Sequence, residues 1–471
     1  MKSGRDTCAP LFDAVKGCIP TTKAANLLRS LGSGLPLTRD LTDKDETLKV
    51  LEIASAIVAS GEPLQDFKDA CYGDANGNGA GPTVLVSAVG SAESKMQMKD
   101  CGPFHMVCIF AMYGEQNRIQ QKAGHPNGQD FIRMKVKQLE WLFSGEEGKT
   151  WEIVAVDDGC PNDSKTLARK VVEAENLGDR VKVLDLEDAV KEGLPYFTER
   201  GLKTGCKESR KGGAILYGLY TAATRQVAAG APPLLAMYTD SDLSTDMSLC
   251  GVLAHGVLVG GGKMSMGARY GAAETFLVKP PDFGPSGHPQ SHFEQPNMMK
   301  IVMRHYVRVR LLPILKGIYD TQCAFKCFRA SDLKAILEEV RSLGADFDME
   351  LLLCALSYFR KGGGSGSELC VVKPTLFTED FAESNFMASS DDPDKPYKTY
   401  AGMNQALVQM HKRYIDQASD EAKAVTDLVA FADGITWEAY KRMVLKLEKD
   451  HGPTLFDYDF PLDELKAACA E

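Results

Sequence analysis

A chain of 471 residues with 44% hydrophobic and 25% charged side chains is ordinary globular material, with length for about two to four average domains, though α/β domains often run larger. Its net charge of −10 argues against a general nucleic-acid binder, because that work needs a surplus of Lys and Arg to displace counterions. The first 20 residues hold Lys2, Arg5, Asp6, Asp13 and Lys16 and no sustained apolar run, so no secretory signal is read and a cytoplasmic location is expected. The apolar stretch Leu249 to Gly262 carries His255 and several glycines, and falls short of the roughly 20 apolar residues of a spanning helix. The 13 cysteines include no Cys-x-x-Cys pair and read as reduced, mostly buried thiols.

Residues 1–104 read as a mainly helical extension, with Lys44 to Ser60 its clearest amphipathic stretch and Gly73 to Pro82 a flexible break. From His105 onward, apolar runs of strand length alternate with stretches of helical period, the pattern of a mostly parallel α/β sheet. Strands are expected at Met106 to Tyr113, Glu152 to Val156, Val181 to Leu186, Leu234 to Thr239, Lys263 to Ala268 and Leu369 to Phe377. Helices are expected at Phe131 to Phe143, Ser164 to Ala174, Gly213 to Ala228, Thr245 to Val259, Asn297 to Lys316, Ser331 to Leu343 and Asp346 to Arg360. Lys279 to Pro296 is too rich in Pro and Gly for a regular element, and reads as a lid, an acceptor loop or a surface insertion. The α/β domain is taken as 105–386, followed by a linker around Ser389 to Pro396 and a helical C-terminal extension within 387–471.

Two of the expected strands finish in acids. Trp151 to Val156 runs into Asp157-Asp158-Gly159, and Pro232 to Thr239 runs into Asp240-Ser241-Asp242. Ligands of parallel α/β sheets bind outside the carboxyl ends of the strands, so both motifs fall where one shared site would form. Side chains alternate along a strand, so Asp240 and Asp242 would point the same way while the chain stays extended. Paired carboxylates suit a hard cation, Mn²⁺ or Mg²⁺, that takes its remaining ligands from a phosphorylated substrate.

Taken in order, the motifs are Ala111-Met-Tyr113-Gly-Glu115, Asp157-Asp158-Gly159-Cys160, Arg210-Lys211-Gly212-Gly213, Asp240-Ser241-Asp242, Gly267-Ala-Arg269, Asp320-Thr-Gln322-Cys-Ala-Phe-Lys326 and Phe347-Asp348-Met-Glu350-Leu-Leu. This series resembles the GT-A glycosyltransferases of the family 2 type. The likeness is strongest to the polyprenyl-phosphate branch that includes dolichyl-phosphate β-glucosyltransferase, and it covers roughly 105–377. The sequence departs from that pattern at Ala111 and Gly114, where the family has Pro and Asn, at Cys160 in place of Ser, and at Asn162 where Asp is common. These departures bear on donor-base specificity more than on fold.

The resemblance implies a GT-A fold and a nucleotide-sugar donor, with UDP-glucose first. Asp157 and Asp158 would hold base and ribose beside Ala111, Tyr113 and Glu115. Lys211 and Gly212 would face the diphosphate at a helix start, with Ser241 beside them, Arg269 facing donor phosphates or acceptor, and Asp240 and Asp242 on the metal. An inverting transfer also needs a carboxylate to deprotonate the acceptor hydroxyl. Asp348, Glu350 and Asp320 are the catalytic candidates, with Gln322 shaping the site. Two residues apart, Asp348 and Glu350 cannot share a helix face. His288 and His292 are further loop candidates for a metal ligand, against an ordinary solvated role.

The acceptor reads as a soluble small molecule, glycan or protein, because four charges interrupt the apolar residues between Arg304 and Lys316 where the lipid-using relatives are strongly apolar. A polyprenyl phosphate reached from a peripheral membrane position is the alternative, since a basic amphipathic helix can lie on an anionic surface. A non-catalytic sugar-nucleotide binding protein is the third reading.

Overall fold

The computed structural model describes residues 22–72, 81–209, 211–269, 277–278, 298–344, 346–363, 369–378, 392–451 and 460–470. The stretch Lys279 to Pro296 with His288 and His292, most of the Gly73 to Pro82 break, Arg210 and part of the Ser389 to Pro396 linker lie outside them.

Four helices precede the sheet: α1 (Lys23–Leu31), α2 (Lys44–Ser60), α3 (Leu64–Cys71) and α4 (Thr83–Met98). Asp43 caps α2 by accepting the amides of Asp45 and Glu46, and Gly61 ends it with φ 71°, a left-handed conformation that glycine adopts without a Cβ penalty. Its apolar stripe (Val50, Ile53, Ala54, Ile57) packs with Phe67, Val84, Leu85 and Val89 into a core of its own. The other side of α4 is buried as well. Lys95 on α4 donates to the carbonyls of Trp141 and Leu142 at 2.9 Å, closing the end of the next helix, α5 (Phe131–Phe143).

Strand β1 (Phe104–Met112) is apolar at almost every position and nearly all buried, as befits a strand covered by helices on both faces. It lies between β2 (Lys149–Asp157) and β4 (Leu234–Thr239) and is parallel to both, with β3 (Val181–Asp185) parallel beyond β2. The seven-stranded order is β3-β2-β1-β4-β7-β5-β8, where β5 is Met264–Ala268, β7 is Lys326–Arg329 and β8 is Cys370–Pro374. The expected mixed, mostly parallel sheet is present, with one strand the sequence did not reveal. β7 runs antiparallel between β4 and β5, and its four residues, opening on a lysine, carry too little alternation to register. Residues 277–278 (β6) and 377–378 (β9) form a separate two-stranded ribbon.

The helices over the sheet are α6 (Ser164–Ala174), α7 (Leu186–Lys191), α8 (Gly212–Ala223), α9 (Cys250–Leu258), α10 (Ala330–Glu339) and α11 (Phe347–Lys361). At the C-terminus, α12 (Lys395–Tyr414), α13 (Thr426–Gly434), α14 (Trp437–His451) and α15 (Leu462–Ala470) add Tyr400, Leu407, Tyr440 and Leu447 to the main core. Tyr440 donates to the Met299 carbonyl at 2.7 Å, and His411 Nδ1 lies 2.8 Å from the Leu311 carbonyl oxygen.

The helix expected over Asn297 to Lys316 is present from Met298 to Leu311, wound as a π-helix at Ile301–Val307, and it breaks at Leu312 before a 3₁₀ turn at Pro313–Leu315. Arg304 and Arg308 point inward, 4% and 1% exposed. Arg308 donates to the carbonyls of Arg304, Leu315 and Ile318, satisfying groups the broken helix leaves open. These two residues therefore supply internal hydrogen bonds rather than the basic outer face read from the sequence. No described helix is long and apolar enough to cross a membrane.

The N-terminal helices meet the sheet through close backbone contact. Ser94 accepts the Gly251 amide at 2.9 Å, and a Cβ at Gly251 would overlap the Ser94 carbonyl. Gly251→Ala should therefore cost about 1–3 kcal/mol in urea unfolding. Gly102→Ala, where an added Cβ meets nothing within 4 Å, should stay within about 0.5 kcal/mol.

Candidate active site

Register assembles the site. Met112 lies opposite Asp157 across β1 and β2, while Phe110 lies opposite Thr239 across β1 and β4. Tyr113, Asp157 and Asp240 therefore emerge at one edge of the sheet, from the ends of three adjacent parallel strands. Tyr113 is 50% exposed, which leaves its ring available for stacking. Ala111 is a buried strand residue paired with Val156. Asp157 is fully buried; Oδ1 accepts the Cys160 amide at 2.9 Å, and Oδ2 has no hydrogen-bond partner among the described residues. Burial raises its pKa. Gly159, with φ 72°, turns the chain where an added Cβ would press on Cys206 at 2.8 Å.

Asp158 is turned toward the start of α8. It accepts the Ser209 hydroxyl on Oδ1 and the Lys211 amide on Oδ2 at 2.7 Å. Burial pushes its pKa up to about 6. The amide expected to face a diphosphate is thus held by a carboxylate of the chain. Asp158 also explains how Lys211, a residue with a Cβ, keeps φ 74°, since its amide and ammonium are each fixed by an acid. Gly212 is required for packing, because a Cβ there would stand 2.6 Å from the Leu343 carbonyl oxygen.

The Asp-x-Asp pair lies just beyond the end of β4 at Thr239, so strand alternation does not set its directions. Asp240 pairs with Lys211 Nζ; burial opposes its charge, yet the Lys211 ammonium holds its pKa below the ordinary value. Asp242 accepts Arg118 Nη1 on Oδ2 at 2.9 Å and the Ser244 amide on Oδ1 at 3.1 Å. Arg118 also grips Glu115 through Nη2 at 3.0 Å and Nε at 2.8 Å. Burial pushes Glu115 up to about 7 despite Arg118, and Ser241 hydrogen-bonds to it. The two aspartates offer hard oxygen donors, and no group of three or more His, Cys, Asp or Glu forms a metal cluster among the described residues. A donor set this small fits a divalent cation that completes its shell with phosphate or water.

Beyond β4, Asp348 on α11 accepts Tyr238 Oη and Lys326 Nζ on the same oxygen, Oδ1, the latter at 2.7 Å. Asp348 and Asp240 both act electrostatically on Lys211. Asp320, fully buried, takes Arg269 Nε and Nη2 at 2.8 Å and its amide at 2.9 Å. Burial opposes its charge, but Arg269 and Arg304 hold its pKa down to about 2. Gln322 accepts both Nε and Nη2 of Arg304, at 3.0 and 2.6 Å. Arg269 and Gln322 therefore serve the Asp320 network.

Glu350 is separated from this group. Its carboxylate accepts the Arg341 and Ser342 amides, Arg413 at 2.8 Å and the Tyr414 hydroxyl at 2.8 Å. Four donors at 1% exposure tie it to α12 and to the end of α10, away from the acids beyond β4. The sequence reading also missed Arg118 and Arg39, because no spacing marks a cation that reaches an acid far along the chain.

No protein-family model matches the chain, and no curated protein does. Among solved structures it is similar to glucosyl-3-phosphoglycerate synthase of M. tuberculosis, at 11% identity over 70% of this chain and 86% of that one, with a TM-score of 0.39. It is also similar to the mannosyltransferase PcManGT of Pyrobaculum calidifontis, solved with GDP-Man and Mn²⁺, at 14% identity over 90% of this chain and 91% of that one, with a TM-score of 0.34. Likeness this distant assigns neither substrate nor activity.

Glu115 and Asp158 bind their protons more tightly folded than unfolded, since burial raises both pKa values, to about 7 and about 6. Their contribution to stability is full below the unfolded carboxylate range and is lost as pH rises through about 6 to 7. A thermal melt series over that range should show Tm falling with pH, less steeply in Glu115→Gln.

Proposed function

We propose that the chain is a metal-dependent glycosyltransferase that moves a sugar from a nucleotide sugar to a hydroxyl of a soluble acceptor with inversion. The carrying observation is the convergence of an exposed aromatic, a buried carboxylate with an unpartnered oxygen, and an acid pair already held by Lys211 and Arg118, all at one carboxyl edge of the sheet. In this reading Tyr113 stacks on the donor base and Asp157 Oδ2 accepts from the base or ribose. UDP-glucose is the donor favoured by the sequence resemblance. Asp240 and Asp242 hold Mn²⁺ or Mg²⁺, which supplies Lewis-acid stabilisation of diphosphate charge when bound.

The chain's own groups do the rest. Lys211 and Arg118, each paired with one acid of the metal-binding couple, are the cations nearest the departing diphosphate. Asp348 is the base: Lys326 and Tyr238 fix its Oδ1, and Oδ2 takes the acceptor proton. The acceptor oxygen bonds to the anomeric carbon from the face opposite the diphosphate, and the broken C–O pair leaves with the nucleoside diphosphate. Asp320 orients Arg269 and, with Gln322, Arg304 along the acceptor side. The inward arginines of 304 and 308 favour the soluble acceptor over a lipid phosphate.

A thermal-shift panel of UDP, GDP, CDP and dTDP sugars with Mn²⁺, Mg²⁺ or chelator tests the donor. Ligand at 100 times its dissociation constant should add about 2.7 kcal/mol, and Asp242→Ala should abolish the metal-dependent part. Asp348→Asn should lower kcat about 10²- to 10⁴-fold with the donor KM little changed, read as initial rates of nucleoside diphosphate release. Donor binding without turnover in a broad acceptor screen would replace the enzyme with a sugar-nucleotide binding protein.

A further inference from the structure

We infer that the N-terminal extension is part of the donor and metal site, and that Arg39, between α1 and α2, is the positioning residue that holds the Asp240 to Asp246 segment in its working shape. This rests on the assignment of Asp240 and Asp242 to metal and diphosphate.

Arg39 lies 201 positions before Asp240, yet its guanidinium reaches the far end of the acidic loop. Nη1 donates to both carboxylate oxygens of Asp246, at 3.0 and 2.9 Å, and Nη2 donates to the Leu243 carbonyl at 3.1 Å. Both side chains of the pair are 2% exposed, so the contact is shielded from solvent screening. The arginine is itself fixed from α4, where Thr83 Oγ1 accepts the Arg39 amide at 2.7 Å. The neighbouring Asp40 takes Lys122 Nζ at 2.8 Å, tying the same stretch of chain to the segment that carries Arg118.

The grip acts on Asp242 through the backbone. Asp242 Oδ1 is aimed by the Ser244 amide, and Ser244 lies between the two points that Arg39 holds. Other supports come from elsewhere: Gln129 Oε1 accepts the Leu243 amide at 2.9 Å, the Ser244 carbonyl accepts the Thr378 amide at 2.9 Å, and Gln138 on α5 accepts the Met247 amide at 2.9 Å and donates to Asp246 at 2.6 Å. Without Arg39 the loop keeps its glutamines and loses the only guanidinium recorded on Asp246 among the described residues. Asp246 would then be a buried carboxylate held by Gln138 without a cation. Loss of the Arg39 grip frees the backbone between Leu243 and Asp246, the stretch whose Ser244 amide aims Asp242. Elsewhere the extension makes docking contacts, such as Ser91 with Ser248 at 2.7 Å; Arg39 reaches past them to the loop.

The test uses the full chain as wild type, Arg39→Met, Arg39→Lys and Ile53→Ala. The last removes a buried side chain from the N-terminal core and controls for lost stability. Mn²⁺ is titrated alone and with UDP by electron paramagnetic resonance, and amide hydrogen exchange is followed across residues 240–247. Arg39→Met should weaken Mn²⁺ binding in the presence of UDP by about 10- to 100-fold and speed exchange at Leu243, Ser244 and Met247. Arg39→Lys should restore part of both, and Ile53→Ala should change neither. Wild-type affinity and exchange in Arg39→Met would overturn the inference, as would equal losses in Ile53→Ala. A wild-type protein that binds no Mn²⁺ with UDP would remove the proposed function instead, and the exchange data would then decide by themselves whether Arg39 orders the loop.

Discussion

Carboxylates gathered at a sheet edge repel one another and lose hydration as they are buried, a penalty of several kcal/mol per ion unless each meets a cation in good geometry. The carboxyl edge of β1, β2 and β4 satisfies this constraint acid by acid. Asp240 has Lys211, Asp242 and Glu115 share Arg118, Asp246 has Arg39, Asp348 has Lys326 and Asp320 has Arg269. The cations come from both sides of the sheet and from the extension ahead of it. Burial still raises Glu115 to about 7 beside Arg118, and it raises Asp158, held by a hydroxyl and a backbone amide, to about 6.

The two extensions use the same device at opposite ends. From the N-terminal side Arg39 enters the acidic loop, and from the C-terminal side Arg413 and Tyr414 close on Glu350, with Gln322 in contact with Met403. Each extension is therefore joined to the α/β core by polar contacts on buried carboxylates as well as by apolar packing. Such contacts impose a direction that hydrophobic burial alone does not, because a guanidinium must meet its carboxylate within a narrow range of angles. The unusual backbone of Ile301–Val307 belongs to this arrangement, since the π-helix and the turns after it bring Arg304 and Arg308 inward.

Asp348 and Glu350 show where reading the chain succeeds and where it stops. Their spacing was enough to say that they face different ways. Which of them faces the acids of β4 depended on the hidden strand β7, which carries Lys326 into the sheet beside Tyr238, and on α12, which covers Glu350. The Arg304 to Lys316 stretch went wrong for a related reason. Charges that interrupt an apolar pattern normally mark a solvent face, but Arg308 turns inward to serve three carbonyls exposed by broken helical structure.

Local pattern determined the strands that matter most. β1, β2 and β4 are largely apolar runs, the last two followed by acids at their carboxyl ends, and that is written in short-range order because burial on both faces demands it. Tertiary structure decided the partners: which lysine meets Asp240, which arginine meets Asp242, and which donors meet Asp348 and Glu350. The pairing of Arg118 with Asp242 joins residues 124 positions apart, and that of Arg39 with Asp246 joins residues 207 apart. Periodicity carries no information over such distances, and only the folded packing of one element against another selects them.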